Sequence, residues 1–207
     1  MKPATIVVIA GVNGAGKSSV AGESIEAAGG VFYNPDAEAR QLREANRSLT
    51  TEQGNAMAWE LGRRGLERAL RSSEFFAIET TLGARTIPDM LIAGAREGAK
   101  IHMLYVGLER VELHLSRVRS RVVAGGHDIP ETKIRERYRT SRENLVRLVP
   151  HLVSLRLYDN SADADPKRGH VPSPRLLLHV VEGKVRNVVP LIEVPAWAKP
   201  IVAVVMT

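Results

Sequence analysis

Residues 11–18 read GVNGAGKS, with Gly11, Gly16, Lys17 and Ser18 at the fixed positions of G-x-x-x-x-G-K-[ST]. The context constrains the fold further. Thr5-Ile-Val-Val-Ile-Ala10 is an apolar, β-branched run that reads as a buried strand, and 18–28 reads as a helix. Strand, glycine loop and helix start together predict a phosphate-binding P-loop. Glycines let the backbone curl so that its N–H groups point inward at phosphate oxygens, and the helix start adds partial positive charge. The nucleotide-binding set is therefore Gly11, Asn13, Gly14, Ala15, Gly16, Lys17, Ser18 and Ser19. Lys17 is expected to reach the β- and γ-phosphates, and the Ser18 hydroxyl to hold Mg²⁺. The competing reading is a plain glycine turn between a core strand and a helix.

Apolar runs and helical stretches then alternate. Strands are expected at 31–34, 75–79, 100–106 and 152–158. Helices are expected from Asp36 to about Arg47, from the capping-box sequence Thr50-Thr-Glu-Gln53 to about Ser72, and over 85–98, 109–124 and 130–149. Five strands separated by helices imply an α/β P-loop NTPase fold: a five-stranded, mainly parallel sheet with helices on both faces. Ligands of such sheets bind beyond the carboxyl ends of the strands, so the informative residues should follow each strand. Residues 1–161 read as the core, with a lid at about 110–149. Residues 162–207 read as an extension packed on the core: an exposed loop, a hairpin from 176–181 and 185–192, and an irregular tail.

The chain has 207 residues, enough for one α/β domain. No apolar stretch approaches the roughly 20 residues of a membrane span. The apolar run at Ile6–Ala10 leads straight into the glycine loop and is not read as a signal peptide. With no cysteine in the sequence, disulfides, thiolate metal sites and cysteine nucleophiles are excluded. A cytoplasmic, ATP-rich setting is the expectation. The formal charge is +6, which raises the question of nucleic acid. Aromatic content of 4% argues against it, because single-strand platforms need stacking rings. Arginine is concentrated between Arg110 and Arg147, where a phosphate-transfer enzyme needs a cationic lid.

Asp36 follows the second strand and could accept the proton of an attacking hydroxyl, or only cap the next helix. Glu79-Thr80-Thr81 follows the third. Glu79 could orient Mg²⁺ through water or bind a substrate hydroxyl. Thr80 and Thr81 could hold substrate or cap the following helix. Arg85 could bind a phosphate or form a surface ion pair. Arg117 and Arg121 share a helix face, Gly125-Gly126 permits a reversal, and Arg135 and Arg139 repeat the spacing on the next helix. Converging arginines can neutralise charge on a transferring phosphoryl group. Arg119 and Arg137 fall on other faces and read as solvated. His127 could contact phosphate or cap its turn. In Tyr158-Asp-Asn-Ser161, Asn160 could read an adenine edge with Tyr158 nearby, or the segment could be a polar turn.

GVNGAGKSS, FYNPDAEA, AIETTLGART, RVVAGGHDIPETKIRERYRTSRENL and LYDNS together resemble the zeta-toxin family of P-loop kinases, in its short bacterial branch. The likeness spans residues 5–161, and the GGHDIP segment with its following I-R-x-R-Y and NL is its most specific part. Better-studied members of that family phosphorylate UDP-N-acetylglucosamine on the sugar 3′-hydroxyl with ATP and Mg²⁺. The resemblance implies that Lys17 and Ser18 bind ATP–Mg²⁺, that Asp36 is the base, and that Glu79 and Thr81 lie near substrate. It places Arg117 and Arg121 in the phosphate-clamping lid. GGHDIP replaces the toxins' arginine-bearing stretch, which moves the second clamping arginine to Arg135 or Arg139. The expected function is ATP-dependent phosphorylation of a small-molecule hydroxyl, with a UDP-sugar as the family's acceptor. A separate antitoxin is a partner to look for. A P-loop NTPase, or a polynucleotide-end kinase with a different acceptor, is the alternative.

Overall fold

A computed structural model describes residues 2–17, 20, 32–126, 128–162 and 173–206. Strand β1 (Thr5–Ala10) lies at the centre, buried on both faces, with Ile6, Val8, Ile9 and Ala10 at 0% exposure. It pairs in parallel with β3 (Phe75–Thr80) on one side and β4 (Lys100–Gly107) on the other. The short β2 (Phe32–Tyr33) extends the β3 side, and β5 (Ser154–Asp159) extends the β4 side, both in parallel. The chain therefore leaves β1 toward opposite edges, and a crevice opens at the carboxyl end of β1.

The sheet is longer than expected. The hairpin β6 (Arg175–Val181) and β7 (Lys184–Val188) does not merely pack on the core. It adds two antiparallel strands to the β5 edge, giving seven in the order β2-β3-β1-β4-β5-β6-β7. The apolar run of β6 continues the core, with the consecutive Leu177 and Leu178 at 1% and 0% exposure beside a register irregularity with β5.

The helices are α1 (Pro35–Ala45), α2 (Thr51–Ser72), α3 (Thr86–Arg96), α4 (Val111–Val123), α5 (Glu131–Leu148) and α6 (Lys199–Met206). The expected capping box opens α2: Thr50 accepts from the Gln53 N–H while Gln53 accepts from the Thr50 N–H. Gly54, Ala58, Gly62, Leu66 and Ala69 form the buried stripe of α2. The stripe is small-residue for a steric reason, since a Cβ at Gly62 would stand 2.6 Å from the Tyr33 ring. Full burial of a leucine such as Leu66 contributes roughly 2 kcal/mol. Beneath the glycine loop, Val12 packs with Leu115, Val118, Ile129 and Ile134, joining α4 and α5 to that loop.

The tail after β7 is more ordered than expected. Trp197 is 4% exposed and lies flat on Gly107 at the end of β4, where any side chain would collide with the indole. Helix α6 follows. Among the described residues, no helix is long and apolar enough to cross a membrane.

Candidate active site

The loop after β1 is built on glycines with positive φ: Gly11 at 147°, Gly14 at 80° and Gly16 at 85°. A Cβ at Gly11 would lie 2.3 Å from the Val106 carbonyl oxygen, so backbone packing excludes any other residue there. Lys17 is 8% exposed. Its ammonium donates to the Gly11 carbonyl at 2.9 Å and stands 3.3 Å from a Glu79 carboxylate oxygen. Ser18, Ser19 and the helix expected over 18–28 lie outside the described residues, apart from the helical residue 20.

Glu79 and Asp36 come to the same cavity by different routes. Glu79 is at the carboxyl end of β3, and its second oxygen accepts from the Asn34 side-chain amide at 3.0 Å. The Asn34 side-chain oxygen caps α1 by accepting from the Asp36 and Ala37 N–H groups. Asp36 is thus not the cap considered from the sequence. Its carboxylate is left to face the cavity, 4.0 Å from the Arg121 guanidinium.

That cavity, about 580 Å³, runs from Asn13 and Lys17 along the end of β3 to one face of α2. Thr80 and Thr81 line it. Neither caps α3: Thr80 Oγ1 accepts from the Leu82 N–H, Thr81 Oγ1 accepts from the Gly83 N–H, and Arg85 occupies the cap position without a side-chain bond. Arg85 is exposed and does not line the cavity.

The arginines are arranged differently from the expectation. Arg137, read as solvated, lines the cavity, whereas Arg135 and Arg139 do not. The Arg137 guanidinium donates to the Asn13 side-chain oxygen at 2.8 Å, and its stem lies across Gly83. The buried residues of α5 are Ile134, Ser141, Asn144, Leu145 and Leu148, and position 137 falls in phase with them, three after Ile134 and four before Ser141. Burial pulls the Arg137 guanidinium below its ordinary pKa, while the Asp36 charge holds it up. Arg135 and Arg139 sit on the outer side of α5. Arg135 is engaged by Glu131 and Glu112, and Arg139 by Glu143. Arg119 pairs with Glu131. Arg117 donates to the Asn160 and Ala162 carbonyls, so this structure spends it on the loop after β5. His127 lies outside the described residues.

Asn160 corrects another expectation. It is 1% exposed, and its amide donates to the Ala15 carbonyl at 2.9 Å, behind the phosphate-binding surface. An amide so placed supports the glycine loop and does not read a base edge. Tyr158 is half-buried within β5. His114, which the sequence did not single out, makes a parallel contact: its Nδ1 meets the Asn13 carbonyl at 2.8 Å. Burial drives its pKa down to about 4, so it is neutral and donates through Nδ1. Three side chains (His114 of α4, Arg137 of α5 and Asn160 after β5) thus hold two residues of the loop.

The donor set suits ATP–Mg²⁺. Mg²⁺ takes hard oxygen ligands and draws most of its octahedron from phosphates and water. Glu79 supplies a carboxylate beside Lys17, and Ser18 follows in sequence. Among the described residues, no group of three His, Asp or Glu forms a metal cage, and Mg²⁺ bound through phosphates does not require one.

A glycine loop at the central strand of this sheet, with a lysine folded into it, defines the fold of the P-loop kinases and NTPases. The chain belongs to the AAA domain family, whose profile matches residues 6–145. An uncharacterized protein of Haemophilus influenzae is 30% identical over 128 residues, 62% of this chain and 88% of that protein. Among solved structures, AvrRxo1-ORF1:AvrRxo1-ORF2 with ATP superposes with a TM-score of 0.65 at 18% identity. It covers 99% of this chain and 64% of its own, so this chain spans less than two thirds of that protein. The PezAT chromosomal toxin-antitoxin system of Streptococcus pneumoniae gives 0.53 at 15% identity, covering 83% of this chain and 75% of its own.

Proposed function

We propose that this chain is an ATP-dependent, zeta-toxin-like kinase that transfers the γ-phosphoryl group to a hydroxyl of a small molecule. The observation that carries the reading is the single cavity shared by Lys17, Asp36, Glu79 and Arg137. Lys17 binds the β- and γ-phosphates, exchanging its contact with the Gly11 carbonyl for phosphate oxygens. Asp36, held outward at the start of α1 by the Asn34 cap, accepts the proton of the attacking hydroxyl. The hydroxyl oxygen then attacks phosphorus in line, and ADP leaves. Arg137 and Arg121 approach from the lid helices, where positive charge stabilises the spreading charge of the transferring group. Ser18 and, through water, Glu79 would hold Mg²⁺, which neutralises charge on the β- and γ-oxygens. Thr80 and Thr81 orient the acceptor.

The likeness to the zeta toxins supports a sugar hydroxyl as acceptor and makes UDP-N-acetylglucosamine the first compound to test. A separate antitoxin belongs to the same reading. Its support is that PezAT is a toxin-antitoxin system and that AvrRxo1-ORF1 was solved with a second component. The test is transfer of label from γ-labelled ATP and Mg²⁺ to a panel of hydroxyl compounds, with a 5′-hydroxyl oligonucleotide included. A labelled small molecule supports the reading. Label on the oligonucleotide alone would replace it with a polynucleotide-end kinase.

A further inference from the structure

The outer arm of the cavity carries chemistry of its own. Helix α2 precedes the parallel strand β3 and runs back against it, so its first turns stand at the carboxyl end of the sheet, above the crevice. One face of those turns lines the cavity with Glu52, Asn55 and Trp59. All three are exposed, and Trp59 leaves 43% of its surface open. An indole on the wall of a cavity, flanked by a carboxylate and an amide, matches the two surfaces of a sugar. The ring lies against the sugar's C–H face, and the polar pair meets its hydroxyls.

The charge of the arm discriminates among sugars. Five carboxylates and four cations line the whole cavity. Two of the cations, Lys17 and Arg137, stand at the glycine loop. Arg63 is held by Glu60 and Glu67 of its own helix. The remaining lining cation, Lys133, has Glu136 at 3.8 Å. Against it stand Glu52 and Asp128, while Asp36 already has Arg121 at 4.0 Å and the Arg137 charge nearby. A diphosphate entering this arm would meet carboxylates with little cationic compensation, which costs binding free energy. An uncharged ring meets no such penalty, and an amino group gains from the carboxylates and from the indole face.

We infer that the Trp59 arm is the acceptor subsite and that it takes an uncharged or amino-bearing sugar or aminocyclitol ring, not a nucleoside-diphosphate sugar. This inference rests on the kinase reading above and departs from that family's own acceptor. In the transfer step, the ring hydroxyl loses its proton to Asp36 as its oxygen bonds the γ-phosphorus, and the bond to the bridging oxygen of ADP breaks.

The test has two arms. Wild type, Trp59→Ala and Trp59→Phe are given γ-labelled ATP with N-acetylglucosamine, glucosamine, the aminoglycoside kanamycin or UDP-N-acetylglucosamine. Separately, tryptophan emission is titrated with the same compounds in the absence of ATP. The expected result is label on an unphosphorylated ring. Trp59→Ala should raise the acceptor KM by about tenfold with the ATP KM unchanged, and Trp59→Phe should restore most of it. The emission change on adding that acceptor should be lost in Trp59→Phe. Label on UDP-N-acetylglucosamine alone overturns the subsite and leaves the kinase standing. Sugar-dependent emission from Trp59 with no label transferred supports the subsite and overturns the kinase. An acceptor KM unchanged in Trp59→Ala overturns the subsite.

Discussion

Arg137 of α5 donates to the side chain of Asn13 in the glycine loop at 2.8 Å, across 124 residues of sequence. The contact ties the glycine loop to helix α5 and leaves the guanidinium in the cavity. Arg137→Ala should therefore lower kcat by about 10²- to 10³-fold. Arg137→Lys should recover little of this, because a point charge cannot replace the planar fork. Arg135→Ala and Arg139→Ala should change kcat by less than about threefold, since their partners are exposed glutamates. Steady-state kinetics on the four variants check this ordering; equal losses at 135 and 137 would contradict it.

His114 makes stability depend on pH. Burial lowers its pKa from 6.5 to about 4. The unfolded chain therefore takes up the proton first as pH falls. The neutral histidine's contribution is complete above pH 6.5, declines as pH drops toward 4, and is then lost. The decline amounts to about 3 kcal/mol at most. Urea melts of wild type and His114→Asn across this range should show a shallower slope in the variant.

Trp197 links the end of the chain to the loop that supports the glycine loop. Its indole N–H donates to Asp159 at 3.0 Å, beside the Asn160 that holds the Ala15 carbonyl. Trp197→Ala should cost about 3–5 kcal/mol, a fall in Tm of roughly 10 °C. Trp197→Phe keeps most of the packing and should cost about 1–2 kcal/mol. Asn160→Ala, which frees the Ala15 carbonyl, should raise the ATP KM with a smaller effect on Tm than Trp197→Ala. Differential scanning calorimetry and ATP titration separate the two effects.

Much of the fold was legible in the residues. The apolar run at 5–10 matches β1 residue for residue, and the Thr50–Gln53 pair marks the start of α2. Local rules carry such features. The sequence placed Lys17 and Glu79 separately at the carboxyl ends of parallel strands, but their ion pair at 3.3 Å was not anticipated. What escaped notice depends on helix phase and distant partners. The repeat of Arg135 and Arg139 drew attention to a face whose purpose is pairing with Glu131 and Glu143. The spacing of Ile134, Arg137, Ser141 and Leu145 held the better signal. Asn160 looks like a turn residue until its partner 145 residues away is known. Trp197 looks like part of a loose tail until Gly107 is seen to leave room for it.

The central claim is that Asp36 removes the acceptor's proton while Lys17 holds the nucleotide. The direct measurement compares wild type, Asp36→Asn and Lys17→Ala for ATP affinity by equilibrium titration and for transfer of γ-label to the hydroxyl acceptor. Asp36→Asn should bind ATP as wild type does and transfer about 10²- to 10⁴-fold more slowly, and Lys17→Ala should lose both. Undiminished transfer in Asp36→Asn would contradict the account.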